Sequence, residues 1–290
     1  VEQLLPVIER ENVEAIAVGF LHSYANAEHE QRVGAMLADR FPDTAVTLSS
    51  DVCPEIREYE RLSTACANAY VQPLMAGYLQ ALEAGLAELG TRCPLLLMMS
   101  SGGVTTVATA IRQPIRLIES GPAGGVILAQ DIAARRNVSA ALSFDMGGTT
   151  AKLTLIDDLR PQYSRSFEVA RQYRFLKGSG LPVRIPVIDM VEIGAGGGSI
   201  ARIDELRRVS VGPDSAGAAP GPACYGQGGV SPTVSDADVV LGRIDPATFA
   251  DGKIALDAAA AAEADAEVPP PLPSLLSARF TTRAAYVRRK

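Results

Sequence analysis

Asp145, Gly147, Gly148, Thr149, Thr150 and Lys152 crowd into one short stretch, "SFDMGGTTAKLTLIDD". An acid, two glycines, two hydroxyls and an ammonium are the groups that hold a phosphate and its counter-cation. Glycine lets an anion reach the backbone N–H groups closely. The threonines add hydroxyl donors and Lys152 adds positive charge. Asp145 ends an apolar run, "AALSF", where an unpaired carboxylate would be costly. It is therefore expected to face a cation, such as water-bound Mg²⁺. The alternative is a plain β-hairpin in which the glycines supply positive φ. The stretch matches neither G-x-x-x-x-G-K-[ST] nor G-x-G-x-x-G, so no helix is expected to follow the glycines. Lys152, Thr154 and Ile156 alternate with Leu153 and Leu155, a period of two, so the chain leaves the turn as a strand. The expected unit is a hairpin turning at residues 146–150.

A second glycine run, "GAGGGS", holds Gly194, Gly196, Gly197, Gly198 and Ser199 between "VIDMVEI" and "SIARID". It joins two strands. A bulged connection is one use for it, and close backbone approach to a ligand is the other. The density of glycine favours the ligand. Asp189 and Glu192 lie just upstream at an odd separation, so on one strand they face opposite sides and do not form a pair. In "PTVSDADVVLG", Ser235 or Asp236 could cap the next helix; the sharper reading makes Asp236 a catalytic carboxylate that orients Mg²⁺ or water. Cys224 in "GPACYG" reads as a small buried residue, or as a nucleophile for which no base is identifiable. His22 and His29 lack metal-like spacing. "EIREYER", with Arg57, Glu58 and Arg61 at helical spacings, reads as a solvated face.

These residues need elements to position them. Up to about residue 136, helical patterns alternate with short apolar strands, as in "VEAIAVGFL", "AVTLSS" and "CPLLLMMS". This is an α/β pattern. "REYERLSTACANAYVQPLMAGYLQALEAGLAELG" predicts a long helix, bent at Pro73 and closed by Gly90. From Ala140 strands and glycines dominate, with helices only at "DADVVLGRI" and "ALDAAAAAEADAE". The expected division is 1–136 as the end of a first lobe, 137–267 as the start of a second, and 268–290, rich in proline with a basic end, as a disordered tail. The 290 residues are 47% hydrophobic and 21% charged, with net charge -6, which disfavours a nucleic-acid binder. No apolar run spans a bilayer. Four scattered cysteines without a C-x-x-C pair suggest reduced thiols in the cytoplasm.

The hairpin stretch resembles the second phosphate loop of the actin-like (ribonuclease H-like) ATPases. Six ordered blocks narrow the resemblance to the hydantoinase A and 5-oxoprolinase family: "EIREYERLSTACANAYVQPLM", "ESGPAGGV", "SFDMGGTTAK", "IPVIDMVEIGAGGGSIARID", "VGPDSAGAAPGPACYGQGG" and "PTVSDADVVLGRIDP". It runs from about Val13 to about Ala262. It implies an α/β actin-like fold and an ATP-dependent hydrolase of cyclic amides, using Mg²⁺ or Mn²⁺. Asp145 would hold the metal through water, and Gly147, Gly148, Thr149 and Thr150 would cradle phosphate. Residues 194–199 would lie near the cleft, although many relatives carry His-Thr where Val191 and Glu192 stand. A hydantoinase B-type subunit or domain is the implied partner. An ATP-dependent ketone carboxylase subunit shares the same blocks. Family members carry a first D-x-G-G-T loop, and none lies upstream of Asp145. The chain also opens on Val1 in a helical pattern. A fragment, even a catalytically inactive nucleotide-binding one, is therefore the third expectation.

Overall fold

The computed structural model describes residues 1–173, 178–204 and 208–266. The segment 268–290 lies outside them. The fold is mixed α/β and divides into two compact units. The sequence reading placed one boundary near Asn137. The chain instead passes between units after Ile132, returns at Arg160, and leaves again after Asp189.

In the first unit, strands Ala15–Val18 and Ala45–Leu48 pair in parallel. The amphipathic helix Glu28–Arg40 connects them, as a parallel pair requires. The 31-residue helix Glu58–Glu88 follows. It continues through Pro73 and ends where Gly90 adopts φ +81 and the Thr91 N–H bonds back to the Leu86 carbonyl at 3.0 Å. The strand Leu96–Met98 pairs with Val104–Thr106 and is half exposed, not buried as its apolar run suggested. The segment from Arg160 to Asp189 adds short antiparallel pairs. Its Val183, Ile185 and Val187 complete a core with Val52 and Ile115. That core is why these residues belong here and not with their sequence neighbours.

In the second unit, Val191–Ile193, Ala151–Asp157 and Ala141–Met146 form consecutive antiparallel strands in that spatial order. Ser199–Ile203 pairs with Val209–Ser215. Helices Val234–Val240 and Ala258–Ala266 share a core of Cys224, Val239, Leu256 and Ala261. The expectation that Asp145 ends a buried run is corrected here. Ser143, Thr154 and Ile156 are buried, whereas Leu142, Phe144 and Leu155 are exposed. Strand alternation puts Leu142, Phe144 and Leu155 on the open face of this sheet and Ser143, Thr154 and Ile156 on its covered one.

Candidate functional site

The expected hairpin is present. Ala141–Met146 and Ala151–Asp157 pair in register, and the Gly147 N–H donates to the Thr150 carbonyl at 2.9 Å. No helix starts at Gly147. Asp145 is exposed and stands opposite Lys152, and Lys152 stands opposite Glu192 on its other side. The register thus sets a carboxylate, an ammonium and a second carboxylate in one row across three strands. Glu192 joins the site through this register, which its spacing from Asp189 could not show.

At the tip, neither Gly147 nor Gly148 has positive φ, so turn conformation is not what selects glycine. A Cβ at Gly148 would meet nothing within 4 Å. Among the described residues, no acceptor takes the N–H groups of Gly148, Thr149 or Thr150. Three consecutive unclaimed donors at the tip, with open space beside Gly148, fit an anion. Among the described residues there is no cluster of three His, Cys, Asp or Glu able to enclose a metal. A hydrated Mg²⁺ carried mainly on phosphate oxygens would need no such cluster, since it keeps several waters and takes only one or two carboxylates.

The second glycine run lies against this tip. The Gly197 N–H donates to the Gly147 carbonyl at 2.9 Å, and the Gly198 N–H to the Gly148 carbonyl at 2.7 Å. The Gly196 N–H donates to the buried Ser199 hydroxyl at 2.8 Å. A Cβ at Gly196 would stand 2.5 Å from the Thr149 nitrogen. A Cβ at left-handed Gly212 would stand 2.7 Å from the Gly194 carbonyl oxygen. The glycine run was expected to approach a ligand; in the structure the backbone that lies against Gly196, Gly197 and Gly198 is that of the hairpin.

Asp236 is fully buried. The cap of helix Val234–Val240 is Thr233, and Asp236 closes a capping box with it. One Asp236 oxygen accepts from the Thr233 N–H at 2.9 Å and hydroxyl at 2.7 Å; the other accepts from the Cys224 N–H at 2.7 Å. The carboxylate expected to orient Mg²⁺ or water is thus buried, with both oxygens already accepting hydrogen bonds. It ties the "GPACYG" loop to the helix start, where the Ser235 N–H donates to the Gly197 carbonyl at 2.8 Å. Cys224 is buried, and burial together with the adjacent Asp236 carboxylate pushes its thiol up to about 12. A thiol so placed is poorly suited to act as a nucleophile.

The first unit corrects another expectation. Arg61 is fully buried, not solvated. It donates to the Phe20 carbonyl at 2.8 Å, the Glu55 carbonyl at 2.9 Å and the Ser49 hydroxyl at 3.2 Å. Buried Glu30 accepts from the same Ser49 hydroxyl at 2.7 Å. Burial alone would raise the Glu30 carboxyl, but hydrogen bonds from Ser23, Ser49 and the Ser50 and Phe20 N–H groups outweigh it and hold it below the usual range. The overlooked signal was spacing: Arg61, Thr64, Asn68 and Gln72 fall on one helical face.

A family model described as hydantoinase/oxoprolinase matches residues 61–270, and one for the hydantoinase/oxoprolinase N-terminal region matches residues 1–41. The chain belongs to the hydantoinase/oxoprolinase family. An uncharacterized protein of Methanocaldococcus jannaschii is 40% identical over 84% of this chain and 36% of its own length. The caprolactamase subunit alpha of Pseudomonas jessenii is 38% identical over 88% of this chain and 35% of its own length. The chain thus spans about a third of the length of these relatives. The crystal structure of the ATP-dependent caprolactamase from Pseudomonas jessenii matches with TM-score 0.72 at 34% identity, over 94% of this chain and 38% of that one. A nucleotide-free acetone carboxylase structure matches with TM-score 0.66 at 27% identity, over 93% and 37%. No helix among the described residues is long and apolar enough to cross a membrane.

Proposed function

We propose that this chain carries one phosphate-binding face of an ATP-dependent enzyme that hydrolyses cyclic amides. The observation that carries the reading is the hairpin tip, where, among the described residues, no acceptor takes the N–H groups of Gly148, Thr149 or Thr150 and the space beside Gly148 is open. A ring amide is a poor electrophile at neutral pH. Phosphorylation of its oxygen makes that oxygen a leaving group. In this reading the tip donors and Lys152 neutralise phosphate charge as it shifts. Asp145 orients the hydrated Mg²⁺. Residues 194–199 and Asp236 hold the tip in shape. A B-type subunit would complete the enzyme, a reading supported by the relative's description as a subunit alpha.

The second reading is an ATP-dependent ketone carboxylase subunit, favoured by the likeness to acetone carboxylase. The caprolactamase likeness is higher in both identity and TM-score, which favours the amide. The test is calorimetric titration of ATP, with and without Mg²⁺, into the chain and its Asp145→Ala variant. Saturable, magnesium-dependent binding that the variant loses is expected. Binding that ignores both magnesium and Asp145 would overturn the reading.

A further inference from the structure

The strands and glycine run that build the hairpin tip are almost bare of charge. Residues 141–156 and 190–201 hold three ionisable side chains, Asp145, Lys152 and Glu192. All three lie in one row: Asp145 faces Lys152 across one strand pair, and Lys152 faces Glu192 across the next. Directly opposed residues of antiparallel strands share a face, with Cα atoms roughly 4.5–5.5 Å apart. Each member stands two positions from the backbone that forms or braces the tip: Asp145 before Gly147, Lys152 after Thr150, and Glu192 before Gly194. Asp145 and Glu192 are both exposed, so an approaching ligand meets their charge. One ammonium against two carboxylates leaves the row one unit negative.

That sign is unexpected beside donors that suit an anion. Backbone N–H groups carry only partial charge and accept a phosphate with or without a metal on it. Lys152 alone would favour the bare polyphosphate, the more negative form. The Asp145 carboxylate cancels that preference, and Glu192 reverses it. A divalent cation cancels two of the charges on a nucleoside triphosphate and sets positive charge before the carboxylates.

We propose that Glu192 is a specificity-determining residue that makes the tip refuse metal-free nucleotide and accept its Mg²⁺ complex. This rests on the reading of the tip as a phosphate site. It gives Glu192 a task distinct from that of Asp145. Asp145 orients the hydrated metal, whereas Glu192 acts at longer range by raising the cost of the uncomplexed anion. That action is Coulombic and scales with the charge on the ligand, so removing the carboxylate helps metal-free ATP more than it helps the complex. Between exposed groups it is also screened by salt.

The test is calorimetric titration, at millimolar nucleotide, of the chain and its Glu192→Gln, Glu192→Asp and Asp145→Ala variants. Each is titrated with ATP in excess Mg²⁺ and with ATP in EDTA. The quantity read is the ratio of the two affinities. Glu192→Gln should lower that ratio about threefold or more by tightening metal-free binding, and the change should shrink at high salt. Glu192→Asp keeps the charge and should keep the ratio. Thermal melting should be unmoved in both, because Glu192 is exposed. If the parent binds with dependence on Mg²⁺ and Asp145 while Glu192→Gln leaves the ratio unchanged, this inference is overturned and the phosphate reading stands. Equal weakening of both forms in Glu192→Gln would also overturn it, since a merely structural role predicts that. No ATP binding, or binding indifferent to both Mg²⁺ and Asp145→Ala, would overturn the phosphate reading and this inference with it.

Discussion

Gly148 and Gly196 are neighbours in space with opposite reasons to be glycine. Beside Gly148 a Cβ would find open space and an ordinary φ, so Gly148→Ala should leave thermal stability within about 0.5 kcal/mol of the parent. The same methyl would stand where phosphate is proposed to sit, so calorimetry should show ATP binding weakened. Gly196→Ala should do the reverse in the first respect. Its Cβ would sit 2.5 Å from the Thr149 backbone nitrogen, and neither loop is a flexible side chain that can yield. A cost of about 1–3 kcal/mol is expected by thermal denaturation. Cys224 supplies a second check. Its thiol, buried and raised to about 12, should resist iodoacetamide in the native chain, while exposed Cys66 and Cys93 react. Peptide mapping after brief alkylation reads this, and early labelling of Cys224 would contradict the assigned burial.

Between elements, the contact of helix Ala258–Ala266 with helix Val234–Val240 carries a buried acid that the sequence did not flag. Asp265 is 2% exposed, and neither carboxylate oxygen has a hydrogen-bond partner. Burial, then the charge of Asp236, raises its pKa from 3.8 to about 6. Because the folded value lies above the unfolded one, the native state binds the extra proton. Stability from this group is full below about pH 4, is lost as pH rises towards 6, and stays lost above. Asp265→Asn should remove that slope and raise stability at pH 7 by on the order of 3 kcal/mol, since the pKa rises by about two units and each unit is worth about 1.4 kcal/mol. Urea melts at pH 4.5 and pH 7 measure it; an unchanged slope in the variant would refute the assignment. What was legible at this scale was local. The hairpin announced itself through Gly147 and Gly148 followed by strict alternation, and Gly90 marked a helix end. The first crossing between units, after Ile132, falls close to the boundary expected near Asn137; the return over Arg160–Asp189 was not legible, because Val183, Ile185 and Val187 join a core built from Val52 and Ile115, and no local pattern records such long-range packing. Arg61 misled for a related reason: composition marks charge as solvated, and only tertiary contacts reveal a charge saturated in the interior.

For the whole molecule, the decisive quantity is how many sides of a triphosphate this chain can grip. It carries one D-M-G-G-T-T hairpin, and no second D-x-G-G-T stretch precedes Asp145. The family resemblance implies a cleft closed by two such loops. A charge-assisted hydrogen bond contributes roughly 1.5–3 kcal/mol. With two or three of them missing, affinity should fall by several kcal/mol, and each 1.4 kcal/mol is about tenfold. Binding that a complete cleft would hold near micromolar is then expected near millimolar for this chain alone. The rate should suffer more than the binding. Phosphoryl transfer needs the triphosphate fixed at both ends relative to the accepting oxygen, and a loosely tethered phosphate loses that alignment. The expected outcome is weak, magnesium-dependent ATP binding that Asp145→Ala abolishes, with no ADP release above background when 5-oxoproline, hydantoin or acetophenone is supplied. Calorimetry and a coupled ADP assay on the same preparation check both halves. Robust turnover of any of the three by this chain would show that one hairpin and its glycine brace suffice, and would overturn the two-sided account of the site.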